Sequence, residues 1–229
     1  MAAASKRITR KSLRQPDWFQ VNSEKALIYL KGHKGLVFGA IGAVVVVVAG
    51  AWSWQLFKEN QNIAASQEFA KAVELYQNTK YPEALSAFEK VQTYRWSRYA
   101  GLAHLYQANI YLATSDLDKA LNSAQRAVTA TAPNSLYRQL ALMALASAEE
   151  RRNNCKIAIE HFSEAHRIDG SLQGSALLGK ARCAEQLGDK AMMIASYKEY
   201  LKDNPGSFLA LKLAELEADG ASKSTPAAK

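Results

Sequence analysis

The residues of this sequence that could carry chemistry are few and do not cluster. His161 and His166 are five residues apart, which places them on different faces of a helix instead of on one metal-binding face. We interpret them, together with His104, as surface or packing residues. Phosphate-binding loops, nucleophile elbows and dinucleotide fingerprints do not occur in the sequence. We therefore predict no catalytic residue, no cofactor and no metal site, and hence a protein that is not an enzyme.

Two further groups of reactive or charged residues have structural explanations. The charged run at 149–152 is most simply a solvated helix end. Cys155 begins one helix and Cys183 lies late in the next, and these two helices are predicted to be antiparallel with a turn near Gly170. The two cysteines would then lie at similar positions along the helix pair. In an oxidising compartment they can form a disulfide if their Cα atoms lie within ~7 Å of each other. Two free buried thiols are the alternative, and the sequence is compatible with both.

One segment near the amino terminus is uncharged and long enough to be a membrane span. Residues 35–57 are 23 residues without a formal charge. As a helix, at ~1.5 Å per residue, they reach roughly 35 Å, enough to cross a hydrocarbon layer of ~30 Å. Trp52, Trp54 and Phe57 fall where an aromatic belt meets the lipid headgroups. A buried strand is too short an element for this segment, and a signal peptide cleaved after Ala51 would have a shorter leader. We therefore predict a transmembrane helix.

The charges on either side of this segment predict its orientation. Residues 1–34 carry eight basic and two acidic side chains, whereas the rest of the chain is nearly balanced, with 21 basic and 19 acidic ones. By the positive-inside rule, the amino-terminal tail stays in the cytoplasm and the residues after Lys58 are translocated. The basic composition therefore reflects topology and contact with the lipid bilayer. No nucleic-acid partner is predicted.

The part of the chain after the predicted span is internally repetitive. Each repeat has a second helix whose pattern begins with a small or slim residue. These residues are Ala84, Ala120, Ala158 and Met193, which are 36, 38 and 35 residues apart. The spacing resembles the tetratricopeptide repeat, whose unit is about 34 residues. Strand-like alternation does not occur after residue 58. We therefore predict an all-α fold, a single transmembrane helix followed by an α-solenoid. Four segments carry the pattern of helix, tight turn and helix: 67–91, 98–129, 135–168 and 171–202.

These patterns predict four regions. They are a basic cytosolic tail with a short juxtamembrane helix after Pro16 (1–34), the transmembrane helix (35–57), the repeat domain with a C-terminal capping helix (58–218), and a disordered tail (219–229).

The second repeat contains the strongest local similarity to a known family. The segment Tyr99-Ala100-Gly101-Leu102-Ala103-His104-Leu105 is similar to the opening of the central repeats in the YfgM-type family, and the similarity continues through Asp118-Lys119-Ala120. The resemblance covers roughly residues 35–205. It implies a single-span protein of the bacterial inner membrane with a periplasmic repeat domain. It also implies a chaperone-like role ancillary to the Sec translocon.

In solenoids of this kind the first helix of each repeat lines a concave groove that binds a partner. Its lining is mostly apolar, which suits an amphipathic or unfolded segment of a client protein. A clamp for a terminal carboxylate would need several Lys and Asn side chains, and only Asn109 fits. The alternative is that the capping helix or a second copy of the chain covers the groove. The predicted lining is Phe69, Val73, Tyr76, Leu102, Leu105, Asn109, Leu112, Leu140, Met143, Ser147, Leu178 and Arg182.

A ridge of small residues, Gly35, Gly39 and Ala43, is a second predicted contact, because it would let another membrane helix approach closely. Taken together, the sequence indicates a non-catalytic adaptor on the extracytoplasmic face of the inner membrane that assists protein export. One rival is an assembly scaffold for a pilus, a cytochrome maturation complex or the division apparatus. Another is an organelle import or fission receptor whose repeats face the cytosol.

Overall fold

The computed structural model describes residues 22–23, 25, 28–29 and 31–224 of the 229. The predicted all-α class is confirmed, because the described residues contain helices and no strand. The chain divides into two compact units, Met1–Phe57 and Lys58–Lys229. Residues 34–224 form nine helices: α1 (Lys34–Gln77), α2 (Tyr81–Gln92), α3 (Arg98–Ala113), α4 (Leu117–Ala130), α5 (Leu136–Arg151), α6 (Cys155–Arg167), α7 (Gln173–Leu187), α8 (Lys190–Asp203) and α9 (Leu209–Ser224).

The first unit contains the apolar part of α1. Within the described residues, α1 is the one helix long and apolar enough to cross a membrane. Val46, at the centre of the uncharged segment 35–57, is 71% exposed, and no residue of the apolar window is buried in the molecule. A core helix of a soluble protein would be mostly buried. A Cβ added at Gly35 or Gly39 would meet nothing within 4 Å, and the contact predicted for the ridge of Gly35, Gly39 and Ala43 stays a prediction.

The second unit is built from helical hairpins whose turns share one conformation. Thr79, Ser115, Asn153 and Gly188 have φ values of 56°, 62°, 62° and 71°, in the left-handed region. Each lies between the two helices of one hairpin, where a left-handed residue ends the first helix and reverses the chain. These four positions are 36, 38 and 35 residues apart, the same intervals that the sequence pattern predicted. The repeat is therefore present in the backbone as well as in the side chains.

Polar residues begin several of these helices. Ser97 and Ser135 cap α3 and α5, and Asp116 and Asp189 cap α4 and α8. Each of these side chains accepts a hydrogen bond from a backbone N–H of the first turn, which would otherwise lack a partner. Pro82 lies in the first turn of α2, where its missing N–H is not needed.

Small residues lie where the two helices of a hairpin cross. Ala84, Ala120 and Ala158 are completely buried. Phe88 and Phe162, four residues after the first and third of these alanines, are also completely buried and fill the space beside them. Alternation of small and large side chains gives dense packing between helices. The small residues that the sequence analysis identified are therefore part of the core.

The fourth hairpin and α9 share a separate core cluster. Met193 and Tyr197 occupy the small and large positions of this hairpin, and each is 4% exposed. Leu209 of α9 is buried in the same cluster, and Leu213 and Leu216 pack against it. The apolar side of α9 thus contacts the last hairpin, which is the contact that a capping helix makes in a solenoid.

The predictions for the two ends of the chain can be compared with the structure only in part. Helix α9 continues to Ser224, past the end near residue 218 that the sequence pattern suggested, so residues 219–224 are helical instead of disordered. Residues 225–229 lie outside the described part. In the predicted juxtamembrane helix the described residues 22–23, 25 and 28–29 are helical. Residues 1–21, 24, 26–27 and 30 of the predicted basic tail lie outside the described residues.

Candidate partner-binding surface

The first helices of successive hairpins are joined to one another by charged side chains. Arg151, at the end of α5, donates through Nη2 to Ser115 Oγ at 2.9 Å and through Nη1 to the backbone oxygen of Leu112. Both acceptors lie at the carboxyl end of α3 or in the turn that follows it. Arg182 of α7 donates through Nε and Nη2 to the two carboxylate oxygens of Glu150 on α5, at 2.8 and 2.9 Å. Helix α5 is thus tied to the first helices on both of its sides.

The same arrangement continues to the last helix. Lys212 of α9 donates to Glu185 Oε1 of α7 at 3.1 Å. We refer to the Arg151 contacts, the Glu150–Arg182 pair and the Glu185–Lys212 pair as the charged ladder. The first helices of three successive hairpins, α3, α5 and α7, are thus linked in order, and α7 is linked in turn to the capping helix α9. These four helices follow one another along a single surface.

The charged ladder corrects the prediction for the run at 149–152. Glu150 and Arg151 connect neighbouring hairpins and are not simply a solvated helix end. A signal for this was present in the sequence, because Glu150 follows the predicted groove residue Ser147 by three positions and therefore lies on the same helix face. The hydrogen bond from Glu150 raises the pKa of Arg182, and the hydrogen bond from Glu185 raises the pKa of Lys212. Both cations are therefore held in their charged form.

In the first hairpin the predicted groove residues contact the next hairpin. Phe69, Val73 and Tyr76 are half-buried against the core of α1, α2 and α3. The ring centroid of Phe69 is 5.3 Å from that of Tyr99, and Tyr76 packs edge-on against Tyr106 at 5.1 Å. All three side chains keep part of their surface exposed, but Phe69 and Tyr76 make aromatic contacts within the fold and Val73 packs against the same core.

The second hairpin contains one residue whose position differs from the prediction. Leu102, Asn109 and Leu112 of α3 are half-buried and therefore partly accessible. Leu105 is only 5% exposed and belongs to the core cluster that includes Leu142 of α5. Its side chain fills the space between the second and third hairpins, so it cannot contact a partner without movement of the core.

In the third and fourth hairpins the predicted lining is accessible. Leu140, Met143 and Ser147 of α5 and Leu178 of α7 are half-buried. Arg182 is exposed and paired with Glu150 in the charged ladder. The accessible surface of the first helices therefore combines apolar side chains with paired charges. The sequence analysis identified the apolar members and missed Glu150, Arg151, Glu185 and Lys212.

Comparison with known proteins identifies this arrangement of hairpins. Residues 29–218 match the tetratricopeptide repeat-like domain family. The chain belongs to this family. The match includes all four hairpins and most of α9, which agrees with the repeat positions seen in the backbone.

Two solved tetratricopeptide repeat structures share the fold. YrrB, described as a TPR protein with an unusual peptide-binding site, has a TM-score of 0.56 at 16% identity, over 69% of this chain and 78% of YrrB. The Pseudomonas aeruginosa protein pilF has a TM-score of 0.52 at 15% identity, over 68% of this chain and 66% of pilF. At such identities the similarity shows the fold alone. A comparison with curated proteins found no significant match.

Family membership defines the general role of the molecule. Tetratricopeptide repeats mediate protein–protein interactions, and proteins of this fold are typically non-enzymatic adaptors. Solenoids offer an extended surface formed by equivalent helices of successive repeats. In this tetratricopeptide repeat domain the equivalent helices are α3, α5 and α7, the same helices that the charged ladder connects.

The histidines of the tetratricopeptide repeats are spread over different sites. In the part of the chain that the structure describes, no group of three or more His, Cys, Asp or Glu side chains could hold a metal ion. His166 Nε2 lies 3.3 Å from Glu199 Oε1. His104 is half-buried, and among the described residues its Nδ1 has no hydrogen-bond partner. Burial, and secondarily the charge of Arg126, lowers the pKa of His104.

Proposed function

We propose that this protein is a single-pass membrane adaptor whose tetratricopeptide repeats bind protein segments on the extracytoplasmic side. The unburied apolar part of α1 and the excess of basic residues before it support this topology. In this proposal residues 1–34 are the cytosolic tail, 35–57 span the bilayer, and 58–218 form the repeat domain with its cap. Residues 219–229 complete the extracytoplasmic part.

The observation that carries the binding proposal is the mixed character of the surface formed by α3, α5 and α7. Leu140, Met143 and Leu178 present apolar side chains, and the Glu150–Arg182 pair lies beside them along the same helices. Such a surface suits an amphipathic or unfolded segment, whose apolar side contacts the leucines and whose polar side meets the charges. The description of YrrB as a peptide-binding repeat protein is consistent with this class of ligand.

The more specific proposal concerns the process that the adaptor serves. The similarity of Tyr99 to Leu105 and of Asp118 to Ala120 to the YfgM-type family supports a chaperone-like role beside the Sec translocon of the bacterial inner membrane. In this role the repeats would receive segments of exported proteins as they leave the membrane. A complex between copies of the chain or with another envelope assembly would give a different set of partners in the experiment below.

Site-specific photo-crosslinking in cells tests the binding surface. A benzophenone amino acid at Asn109 or Ser147 would probe the surface without disturbing the core, because both residues are polar and half-buried. Matched controls are Gln125 and Ala195, which are exposed on the second helices α4 and α8. We expect translocon subunits and exported chains to crosslink at the first two positions and not at the controls. Identical crosslinks from both pairs would contradict the proposal.

A blocking variant provides an independent measurement. Asn109→Arg with Ser147→Arg adds bulk and charge to the surface, and Gln125→Arg with Ala195→Arg adds the same charge elsewhere. We expect several-fold less co-purification of partners with the first variant only, with circular dichroism confirming that both are folded. Leu105 is unsuitable for such a test, because it is 5% exposed and a charge there would disrupt the core.

Protease accessibility tests the topology. We expect the repeats to be digested in spheroplasts without permeabilisation of the membrane, because they lie outside it. Protection of the repeats until the membrane is lysed would place them in the cytosol and refute the topology. The mass of the purified protein is a second measurement, and a mature chain beginning at Trp52 would show that the apolar segment is a cleaved signal.

A further inference from the structure

Two buried thiols lie in one apolar cluster between the third and fourth repeats. Cys155 is the first residue of α6 and is 2% exposed, and Cys183 in the second half of α7 is completely buried. Both belong to one apolar cluster, which also contains Phe162. The helices that carry them, α6 and α7, pack against each other around this cluster. In this structure both are free thiols.

The two thiols differ in their surroundings. Burial, together with contact with Cys155, raises the pKa of Cys183, so at neutral pH this side chain is a protonated and poorly reactive thiol. The thiol of Cys155 donates a hydrogen bond to Gln186 Oε1 at 3.0 Å. It also lines a cavity of about 320 Å³ together with Asn154, Ile157 and Leu187. Cys183 does not line this cavity. A reagent entering the cavity therefore meets Cys155 first.

We propose that Cys155 and Cys183 form an acquired disulfide, with Cys155 as the entry thiol and Cys183 as the resolving thiol. The Cys155 thiolate attacks the disulfide of a dithiol–disulfide oxidoreductase, forming a mixed disulfide and releasing one thiolate of that enzyme. Cys183 then gives up its proton and attacks the Cys155 sulfur, which breaks the mixed disulfide. The oxidoreductase leaves as a dithiol, carrying both electrons and both protons.

The bond would connect the third repeat to the fourth at a defined place. Arg182, the neighbour of Cys183 in the chain, pairs with Glu150 across the same boundary between repeats. A covalent link next to this pair restricts separation of α6 from α7 and thereby fixes the spacing of the charged ladder at this point. The inference goes beyond the proposed adaptor role, which does not depend on it. Its occurrence in the cell depends on the proposed oxidising compartment.

Exposure of the full-length, detergent-solubilised protein to oxidised glutathione tests the pair. Wild type, Cys155→Ser and Cys183→Ser are purified under reductant, treated, then denatured and alkylated with iodoacetamide for mass analysis. We expect the wild type to lose both alkylatable thiols without retaining glutathione and without forming covalent dimers. Cys183→Ser should accumulate a glutathione adduct on Cys155, because no resolving thiol remains. Cys155→Ser should acquire little glutathione adduct, because its remaining thiol, Cys183, is completely buried.

Three results would overturn the inference. They are a folded wild type that keeps two alkylatable thiols, covalent dimers in place of the internal bond, or equal adduct formation in the two single variants. Circular dichroism of each reduced variant establishes that it is folded, and Cys155→Ala and Cys183→Ala replace the serine variants if the buried hydroxyl disturbs the core. Because the reaction uses purified protein, its failure is independent of the side of the membrane on which the repeats lie.

Discussion

Gly179 of α7 lies directly against the ring of Phe162 on α6, so closely that a Cβ at Gly179 would be 2.5 Å from two ring carbons. Both residues are buried, and Phe162 is completely so. A glycine inside a helix normally costs about 0.5–1 kcal/mol relative to alanine. Here it allows the third and fourth repeats to approach, because no other residue leaves room for the aromatic ring.

Replacement of this glycine should therefore destabilise the repeats. Gly179→Ala gains helix propensity, but the added methyl group would have to displace the completely buried ring of Phe162. We expect a net loss of about 1–3 kcal/mol in the free energy of unfolding, measured by urea denaturation followed by circular dichroism. Gly174→Ala on the same helix is the control, because its added Cβ would meet only the ring edge of Tyr200, at 3.2 Å. Equal stability of the two variants would show that α6 and α7 can separate without cost.

A second prediction concerns a buried polar side chain between repeats. Gln139 of α5 is completely buried and donates through Nε2 to the backbone oxygens of Ala165 and Ile168, at 3.0 and 2.9 Å. Gln139→Leu would leave both carbonyls at the end of α6 without this donor. We expect a loss of about 1–3 kcal/mol in unfolding free energy. Gln173→Leu is the matched control.

The control loses a comparable hydrogen bond at a more accessible position. Gln173 is half-buried and donates to the backbone oxygen of His166 at 3.1 Å. Water can replace that donor, so a clearly smaller loss is expected. A Gln139→Leu protein as stable as wild type would mean that packing, and not hydrogen bonding, determines the end of α6.

A third prediction is a pH dependence of stability caused by His104. Because folding lowers its pKa, the unfolded chain binds more protons than the folded chain once the pH falls below about 6.5. The stabilisation from this residue is therefore complete above that pH and is lost as the pH falls towards the lower folded value. His104→Gln should flatten the change in melting temperature between about pH 7 and 5. Gln125→Ala, at an exposed position that carries no ionisable group, should keep the wild-type slope.

Carboxylates act in a different pH range and do not obscure this test. Hydrogen bonds from Lys90 and Lys119 lower the pKa of Glu68 and Asp116 from ordinary values of 4.5 and 3.8, respectively. Their stabilisation is present above those ordinary values and is lost at lower pH. If His104→Gln and wild type lose stability in parallel from pH 7 to 5, His104 is not the cause.

The fourth prediction measures the charged ladder. The side chains of Arg182 and Glu150 are 54% and 13% exposed, so one partner is largely shielded from water. A double-mutant cycle with Arg182→Ala and Glu150→Ala should give a coupling of about 1 kcal/mol, the upper end of the range for surface pairs. The Lys198–Glu217 pair is the control, with side chains 56% and 46% exposed. We expect its coupling to be smaller and to vanish in high salt. A coupling of zero for Arg182 and Glu150 would mean that apolar packing alone holds the repeats in register.

Much of the fold could be predicted because it depends on local and periodic features. The intervals of 36, 38 and 35 residues in the side-chain pattern recur as intervals between the left-handed turn residues, from Thr79 to Gly188. Small residues such as Ala120 lie at the helix crossings of the first three hairpins, and this pattern is visible in the sequence. The end of α9 was predicted less well, because the small and polar residues after 218 do not exclude a helix.

The binding surface was predicted only in part. Projection from the repeat register placed Leu102, Leu105, Leu140 and Leu178 on one side of the first helices. It could not distinguish Leu105, which the neighbouring hairpin covers, from the half-buried others. The degree of coverage depends on how far successive hairpins are rotated, and no residue pattern within one repeat records that rotation.

The amino-acid order alone determined that this chain has one segment apolar enough to span a membrane and a series of helical hairpins after it. These properties follow from composition and period, which act through neighbouring residues. Tertiary structure decided which distant residues lie together: Cys155 and Cys183 in one buried cluster, Glu150 with Arg182, and Gly179 with the ring of Phe162. Each pair is separated by many residues in the chain and is brought together by the stacking of one hairpin on the next. The side chains that connect repeats are therefore the part of the molecule that only the packed structure reveals.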